Sequence, residues 1–300
     1  MKKRNALFAS LTLAGLSLEE LYRYIFCRHS GTLSFVSFKV HSPDYYERRD
    51  RYKAEFEKLP HTEYTMKGER GETLVGRYIR AGEKPSGKIA FLIHGYRANG
   101  AEAAGPFYKY YLAKGWDVFA CDHAAHGKSE GELISYDYYE STDCLKWLDS
   151  LRRTYGEDVQ IILHGFSMGG AIVVKMSDRV PENVKFICDD SGFSDAVGII
   201  KPKLKELYPV MRKLNFAVGG YRLEDTDVRE NLAHAKVPFL FVHGTADPTV
   251  PFEMGKELYE LCPTEKDCLF SEGILHVESI YRRREEYEKK LDSFIDKYTK

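Results

Sequence analysis

The sequence predicts an α/β fold with a mostly parallel central sheet, an N-terminal antiparallel hairpin and helices on both faces. Three observations predict it. The runs Lys88–Ile93, Asp117–Cys121, Val159–Leu163, Val184–Cys188, Val237–Val242 and Asp267–Phe270 are apolar without alternation, the pattern of strands buried on both sides of a parallel sheet. Longer stretches with helical spacing separate these runs, as a parallel sheet's crossovers require. Ahead of them, Thr62–Lys67 and Glu72–Arg80 do alternate and part around Gly68-Glu69-Arg70-Gly71, the signature of a hairpin.

Taken in order, the chain opens on Met1-Lys2-Lys3-Arg4-Asn5, followed by the uncharged run Ala6–Leu18. That resembles the first two regions of a signal peptide. The run is too short for a bilayer, which needs about 20 apolar residues, and extending it brings in Glu19, Glu20 and Arg23. No clean cleavage site follows, Thr12-Leu13-Ala14 being the nearest. An amphipathic helix lying on the domain or on a membrane surface is the expectation, with a cleaved signal or degenerate anchor as the alternative. Residues 1–60, including a charged helical stretch at Asp44–Lys58, then form an extension. Residues 61–300 form one domain, since neither an internal repeat nor a low-complexity linker divides them. The expected location is cytoplasmic, with membrane contact through residues 1–27 left open.

The helices between strands are expected at Ala101–Lys114, Tyr138–Tyr155, Met168–Val180, Phe252–Leu261 and from His276 to about Tyr298. Only the interval Phe193–Ala235 breaks the rhythm, being far longer than a crossover of 10–15 helical residues. Two or three short helices fit it, broken near Pro209 and Gly219-Gly220. Its apolar residues (Ile199, Ile200, Leu204, Leu207, Met211 among them) either pack on the sheet edge or roof a pocket. A lid over residues 193–235 is the sharper expectation.

Composition narrows the function. Lys+Arg number 44 against 45 Asp+Glu, a net charge of −1, so no basic field exists to hold a phosphate backbone and nucleic acid is not an expected partner. The 6 cysteines include no C-x-x-C pair, which argues against a disulfide scaffold or a cysteine zinc site. No cofactor or metal is expected.

One motif carries chemistry. Gly165-Phe166-Ser167-Met168-Gly169 is G-x-S-x-G, placed between the apolar run Val159–Leu163 and the helical pattern Ala171–Val180. A sharp strand-to-helix turn there would lift the serine oxygen clear of the sheet, and the helix N-terminus would set the Met168 N–H beside a reacting carbonyl. A serine needs a base, and the base an orienting acid. His276 lies between the last strand and the terminal helix, at the same sheet edge as Ser167. His94, His164 and His243 each precede a glycine at a strand end, where packing or backbone bonding is expected. Asp247, in the turn Gly244-Thr245-Ala246-Asp247-Pro248, is the expected acid, with Asp190 as runner-up.

These residues resemble those of the α/β-hydrolase superfamily across Glu72–Lys300, in the bacterial group of serine esterases that includes serine-aminopeptidase-like and monoglyceride-lipase-like enzymes. The chain order Ser, Asp, His matches. Leu92-Ile93-His94-Gly95-Tyr96 resembles the segment supplying a second oxyanion donor, which implies the Tyr96 N–H beside that of Met168. Asp122-His123-Ala124-Ala125-His126-Gly127-Lys128-Ser129-Glu130-Gly131 resembles a loop-ordering stretch but has His123-Ala124-Ala125 where the family carries an arginine and glycine. The resemblance implies the α/β-hydrolase fold and a serine hydrolase with a small-molecule ester substrate, and a lid as short as residues 193–235 makes only a small roof, which suits a short or medium acyl group. A peptidase or thioesterase on the same triad, and a non-catalytic hydrolase-like binding protein, are the alternatives. Fold alone would not separate these.

Overall fold

Eight strands hydrogen-bond into one sheet in the order β1-β2-β4-β3-β5-β6-β7-β8. The computed structural model describes residues 17–28 and 40–299. Along the chain run α1 (Leu18–Phe26), α2 (Tyr45–Glu57), β1 (Thr62–Lys67), β2 (Thr73–Ile79), β3 (Lys88–Ile93), α3 (Gly100–Ala104), α4 (Tyr108–Ala113), β4 (Asp117–Asp122), α5 (Tyr138–Tyr155), β5 (Gln160–Phe166), α6 (Met168–Met176), β6 (Val184–Asp190), α7 (Ala196–Leu204), α8 (Tyr208–Gly219), α9 (Arg229–Ala233), β7 (Phe239–Gly244), α10 (Phe252–Leu261), β8 (Lys266–Ser271), α11 (Ser279–Arg282) and α12 (Arg284–Tyr298). β1 pairs antiparallel with β2, and β2 antiparallel with β4. The remaining pairs are parallel.

Alternate side chains of each central strand enter different cores, which is why those strands read as unbroken apolar runs. On β3, Ile89, Phe91 and Ile93 join a core shared with α1, α5, α6, α7 and α8. Ala90 and Leu92 join a second core with Phe56 of α2, α3, α4 and α12. β3 lies between β4 and β5, so the chain reverses its direction of travel across the sheet there. In open α/β sheets the crevice at such a switch point, at the carboxyl ends of the strands, receives the ligand.

Differences from the expected elements have local causes. The helix expected at Ala101–Lys114 is two helices parted at Gly105-Pro106, because proline has no N–H to continue the ladder and disfavours a helical residue before it. The break expected near Pro209 falls just ahead of it: α7 ends at Leu204 and Pro209 sits in the first turn of α8, where the missing N–H would have no acceptor. The terminal helix begins later than expected and is split at Arg283.

The described parts of the N-terminal extension are built into the molecule. Ser17 and Glu20 form a capping box that starts α1, and Tyr22 and Phe26 are buried in the first core. Arg28 donates to the carbonyls of Ser129 and Gly127 at 2.5 and 2.6 Å. Most of the expected membrane-facing segment, residues 1–16, lies outside the described residues. Among the described residues no helix is long and apolar enough to cross a membrane.

Candidate active site

Ser167 follows the last residue of β5 and precedes the first of α6, with φ 57° and ψ −117°. A positive φ is uncommon for any residue with a Cβ and marks stored backbone strain. The turn is pinned by the Ser167 N–H, which donates to the Asp190 carbonyl at 2.8 Å. Two glycines make it possible: a Cβ on Gly165 would overlap the Gly169 carbonyl, and one on Gly169 would overlap the Ile93 carbonyl.

The loops after β5, β7 and β8 then meet. His276 Nε2 stands 2.8 Å from Ser167 Oγ, and its Nδ1 stands 2.6 Å from Asp247 Oδ2. The other Asp247 oxygen accepts from the N–H groups of Thr249 and Val250 at 2.8 and 2.9 Å. Burial alone would raise the Asp247 carboxyl, but His276 and His243 beside it hold it well below the usual carboxylate range. It is therefore ionised at neutral pH, and the neutral imidazole carries its proton on Nδ1 with Nε2 free to accept from the serine.

The expected oxyanion residues border the same turn. Met168 is the first residue of α6, and the N–H groups of a helix's first turn lack intrahelical acceptors. Tyr96 follows Gly95, whose added Cβ would lie 3.0 Å from Ser167 Cβ, so this loop runs directly against the serine. Arg97, with φ 56°, donates its N–H to His126 Nε2 at 3.0 Å. His94 Nε2 accepts from the His123 N–H at 3.0 Å. Burial depresses all three imidazoles, His94 to about 4 and His126 to about 3, and His123 in the same direction. Neutral histidines thus order the loop where the resembled family uses an arginine and glycine.

Other candidates are placed elsewhere. Asp190 accepts from Ser191 Oγ at 2.8 Å and from the Tyr287 hydroxyl at 3.0 Å, and burial pushes its carboxyl up to about 6. His164 is held between the hydroxyls of Tyr111 and Tyr287 at 3.0 and 2.8 Å. His243, expected to pack or to bond backbone, places Nε2 3.1 Å from the Val250 carbonyl and also 3.4 Å from Asp247 Oδ2. Cys121, His123 and Cys144 lie within 4.8 Å of one another, buried, and do not line the cleft.

The cleft in front of Ser167 encloses about 170 Å³. Its walls correct the expected lid: they come from residues 41–49, 94–107, 166–167 and 276–281, and none from 193–235. The apolar residues Ile200, Leu204, Leu207 and Met211 of that interval are instead buried in the first core, since an amphipathic helix gains most by covering the sheet. His41, Tyr45 and Arg49 were not singled out from sequence, where nothing local marks them.

A sequence-family model described as serine aminopeptidase, S33, matches residues 84–214. An uncharacterised Bacillus subtilis protein, YqkD, is 25% identical over 250 residues, 80% of this chain and 81% of its own. Mouse monoglyceride lipase is 33% identical over 139 residues, 45% of this chain and 43% of its own. An esterase of Pyrococcus furiosus superposes with a TM-score of 0.65 at 23% identity, over 80% of this chain and 93% of its own. This chain has the α/β-hydrolase fold. Family match and site overlap only in part: Ser167 lies inside residues 84–214, whereas Asp247 and His276 lie beyond them.

Proposed function

We propose that this protein is a serine hydrolase that cleaves carboxylic esters through an acyl-enzyme on Ser167. The observation that carries this reading is the hydrogen-bonded chain Ser167–His276–Asp247, at 2.8 and 2.6 Å, set on a strained strand-to-helix turn. His276 Nε2 takes the hydroxyl proton as Ser167 Oγ attacks the carbonyl carbon. Asp247 fixes the imidazole's tautomer and stabilises its positive form. The N–H groups of Tyr96 and Met168 receive the oxyanion, a donor of this kind being worth about 10²–10³ in rate. His276 then protonates the leaving oxygen, and water repeats the cycle on the acyl-enzyme.

The family model's description favours a second reading, an aminopeptidase. An aminopeptidase must hold a substrate ammonium, and the cleft's carboxylates are already engaged. Glu102 takes Lys53 and Asn99 at 3.0 Å and Arg49 at 3.7 Å, and Asp247 belongs to His276. The esterase reading is therefore preferred. Reaction with a fluorophosphonate probe followed by mass spectrometry tests the mechanism. Labelling at Ser167 supports it, and labelling elsewhere or nowhere overturns it. A panel of p-nitrophenyl esters, thioesters and aminoacyl amides then separates the substrate classes.

A further inference from the structure

The C-terminal end of α1 rests on the loop that carries Tyr96, one of the two proposed oxyanion donors. The last carbonyls of a helix have no partner within it. In α1 that loop supplies partners. The Tyr96 hydroxyl shares its one hydrogen between the carbonyls of Tyr24 and Ile25, each at 3.0 Å. Arg97 Nη2 donates to the Tyr24 carbonyl at 2.6 Å and to that of Cys27 at 3.4 Å. The Arg97 guanidinium also lies 5.1 Å over the Tyr24 ring and 5.2 Å over that of Tyr96. A cation is favoured at a helix C-terminus, where the macrodipole is negative.

The helix can serve as a support because it is fastened on another side. The Ile134 N–H donates to the Phe26 carbonyl at 2.7 Å, and the Arg28 N–H to that of Glu132 at 2.8 Å. Phe26 is fully buried and meets Tyr136 edge-on at 5.9 Å, while Tyr136 stacks on Tyr96 at 5.6 Å. The loop is the part that needs support. Arg97 has φ 56°, a strained conformation that persists only where its surroundings impose it. His126 Nε2 pins the Arg97 backbone at 3.0 Å, and α1 pins the side chains of Arg97 and Tyr96.

We propose that α1 is a positioning element for the oxyanion loop: through the side chains of Tyr96 and Arg97 it holds the Tyr96 N–H where the developing oxyanion needs it. This rests on the esterase reading, in which that N–H receives the oxyanion. A donor of this kind works by being aimed before the charge forms, and the charge forms only on the way to the tetrahedral intermediate. Loosening the clamp therefore lowers kcat and leaves KM alone. A side chain that merely walled the cleft would change KM instead.

The experiment uses the full chain, p-nitrophenyl butyrate and an alkyl trifluoromethyl ketone. With the ketone, Ser167 Oγ bonds the carbonyl carbon, its proton passes to His276, and the carbonyl oxygen becomes an oxyanion. Tyr96→Phe removes the hydroxyl and keeps the N–H. It should lower kcat by about tenfold, leave KM unchanged, and weaken the ketone's Ki by the same factor as kcat. Arg97→Met breaks the other arm of the clamp from an exposed position. It should act in the same direction, and it decides the matter if circular dichroism shows Tyr96→Phe to be unfolded. Coupling runs both ways, so the bound ketone should slow hydrogen exchange across residues 18–28 in the wild type, and less in Tyr96→Phe. Unchanged kcat and Ki, a loss confined to KM, or exchange in α1 that ignores the ketone overturns the proposal. Fluorophosphonate labelling keeps the two ideas apart: unlabelled wild-type Ser167 sinks the esterase mechanism and this inference with it, whereas labelled Ser167 with wild-type kcat in Tyr96→Phe sinks only the role of α1.

Discussion

Replacing Asp247 by Asn tests the proposed mechanism at its least obvious point. The substitution preserves shape, so its effect depends on which way the amide turns. One Asp247 oxygen receives the N–H groups of Thr249 and Val250 at 2.8 and 2.9 Å, and the other faces His276 Nδ1 at 2.6 Å. Turning the amide nitrogen toward the two backbone donors would leave both unpaired, at about 1–3 kcal/mol each. The amide oxygen therefore stays with the backbone and the NH₂ group meets His276. Nδ1 must then accept, which moves the ring proton to Nε2 and points a donor at Ser167 Oγ. The serine loses its base, and the imidazolium loses its counter-charge. A loss of about 10⁴ in kcat is expected, roughly 5.5 kcal/mol of transition-state stabilisation. Steady-state hydrolysis of p-nitrophenyl butyrate measures it, with circular dichroism to show that the fold is retained. Retention of more than about one percent of kcat, or a larger loss in Asp190→Asn, would refute the assignment of the acid.

Ser167→Ala should abolish turnover, with a loss on the order of 10⁶, while the protein stays folded. Ser167→Gly should melt higher than Ser167→Ala, because strain at φ 57° is released and about 1–3 kcal/mol of it exceeds glycine's added chain entropy; equal melting temperatures would show the turn to be unstrained. Asp190 is buried with its carboxyl pushed up to about 6 from 3.8, so its folded-state advantage is present below about pH 4 and is lost as pH rises through 6. Asp190→Asn has nothing to ionise, and its stability relative to wild type should rise by up to about 3 kcal/mol between pH 4 and pH 7, as urea titrations at both pH values would read; a pH-independent difference contradicts the burial argument. Across p-nitrophenyl esters, rates should peak at short to medium acyl length in a cleft of about 170 Å³, and an optimum at palmitate-like length, or activation at an oil–water interface, would point to a lipase instead.

Much of the fold and part of the site are legible along the chain because their signals are local. Strand and helix periods repeat within a few residues, so α5 and α10 begin and end where the pattern places them. The turn at Ser167 is also local, since the glycines that permit it lie two residues to either side. The lid expectation went astray for a physical reason. An apolar helical face shows that something must be covered, but not whether the partner is a pocket or a sheet. Here the face of α7 and α8 is spent on the first core, and the cleft is walled in part by residues 41–49 from the other end of the chain.

By itself, then, the sequence determined the layered α/β architecture, the serine turn and the order of the chemical residues, because periodicity, glycine spacing and chain order are properties of neighbouring residues. Only the tertiary structure decided which of ten histidines reaches the serine, which aspartate orients it, and that His243 shares that aspartate. It alone brought Ser42 to Glu278, 236 positions away, and with it His41 to the cleft. Such contacts carry no sequence signature because they depend on where the sheet's crossovers deliver two distant loops. Each loop taken alone is only a polar segment with a histidine in it.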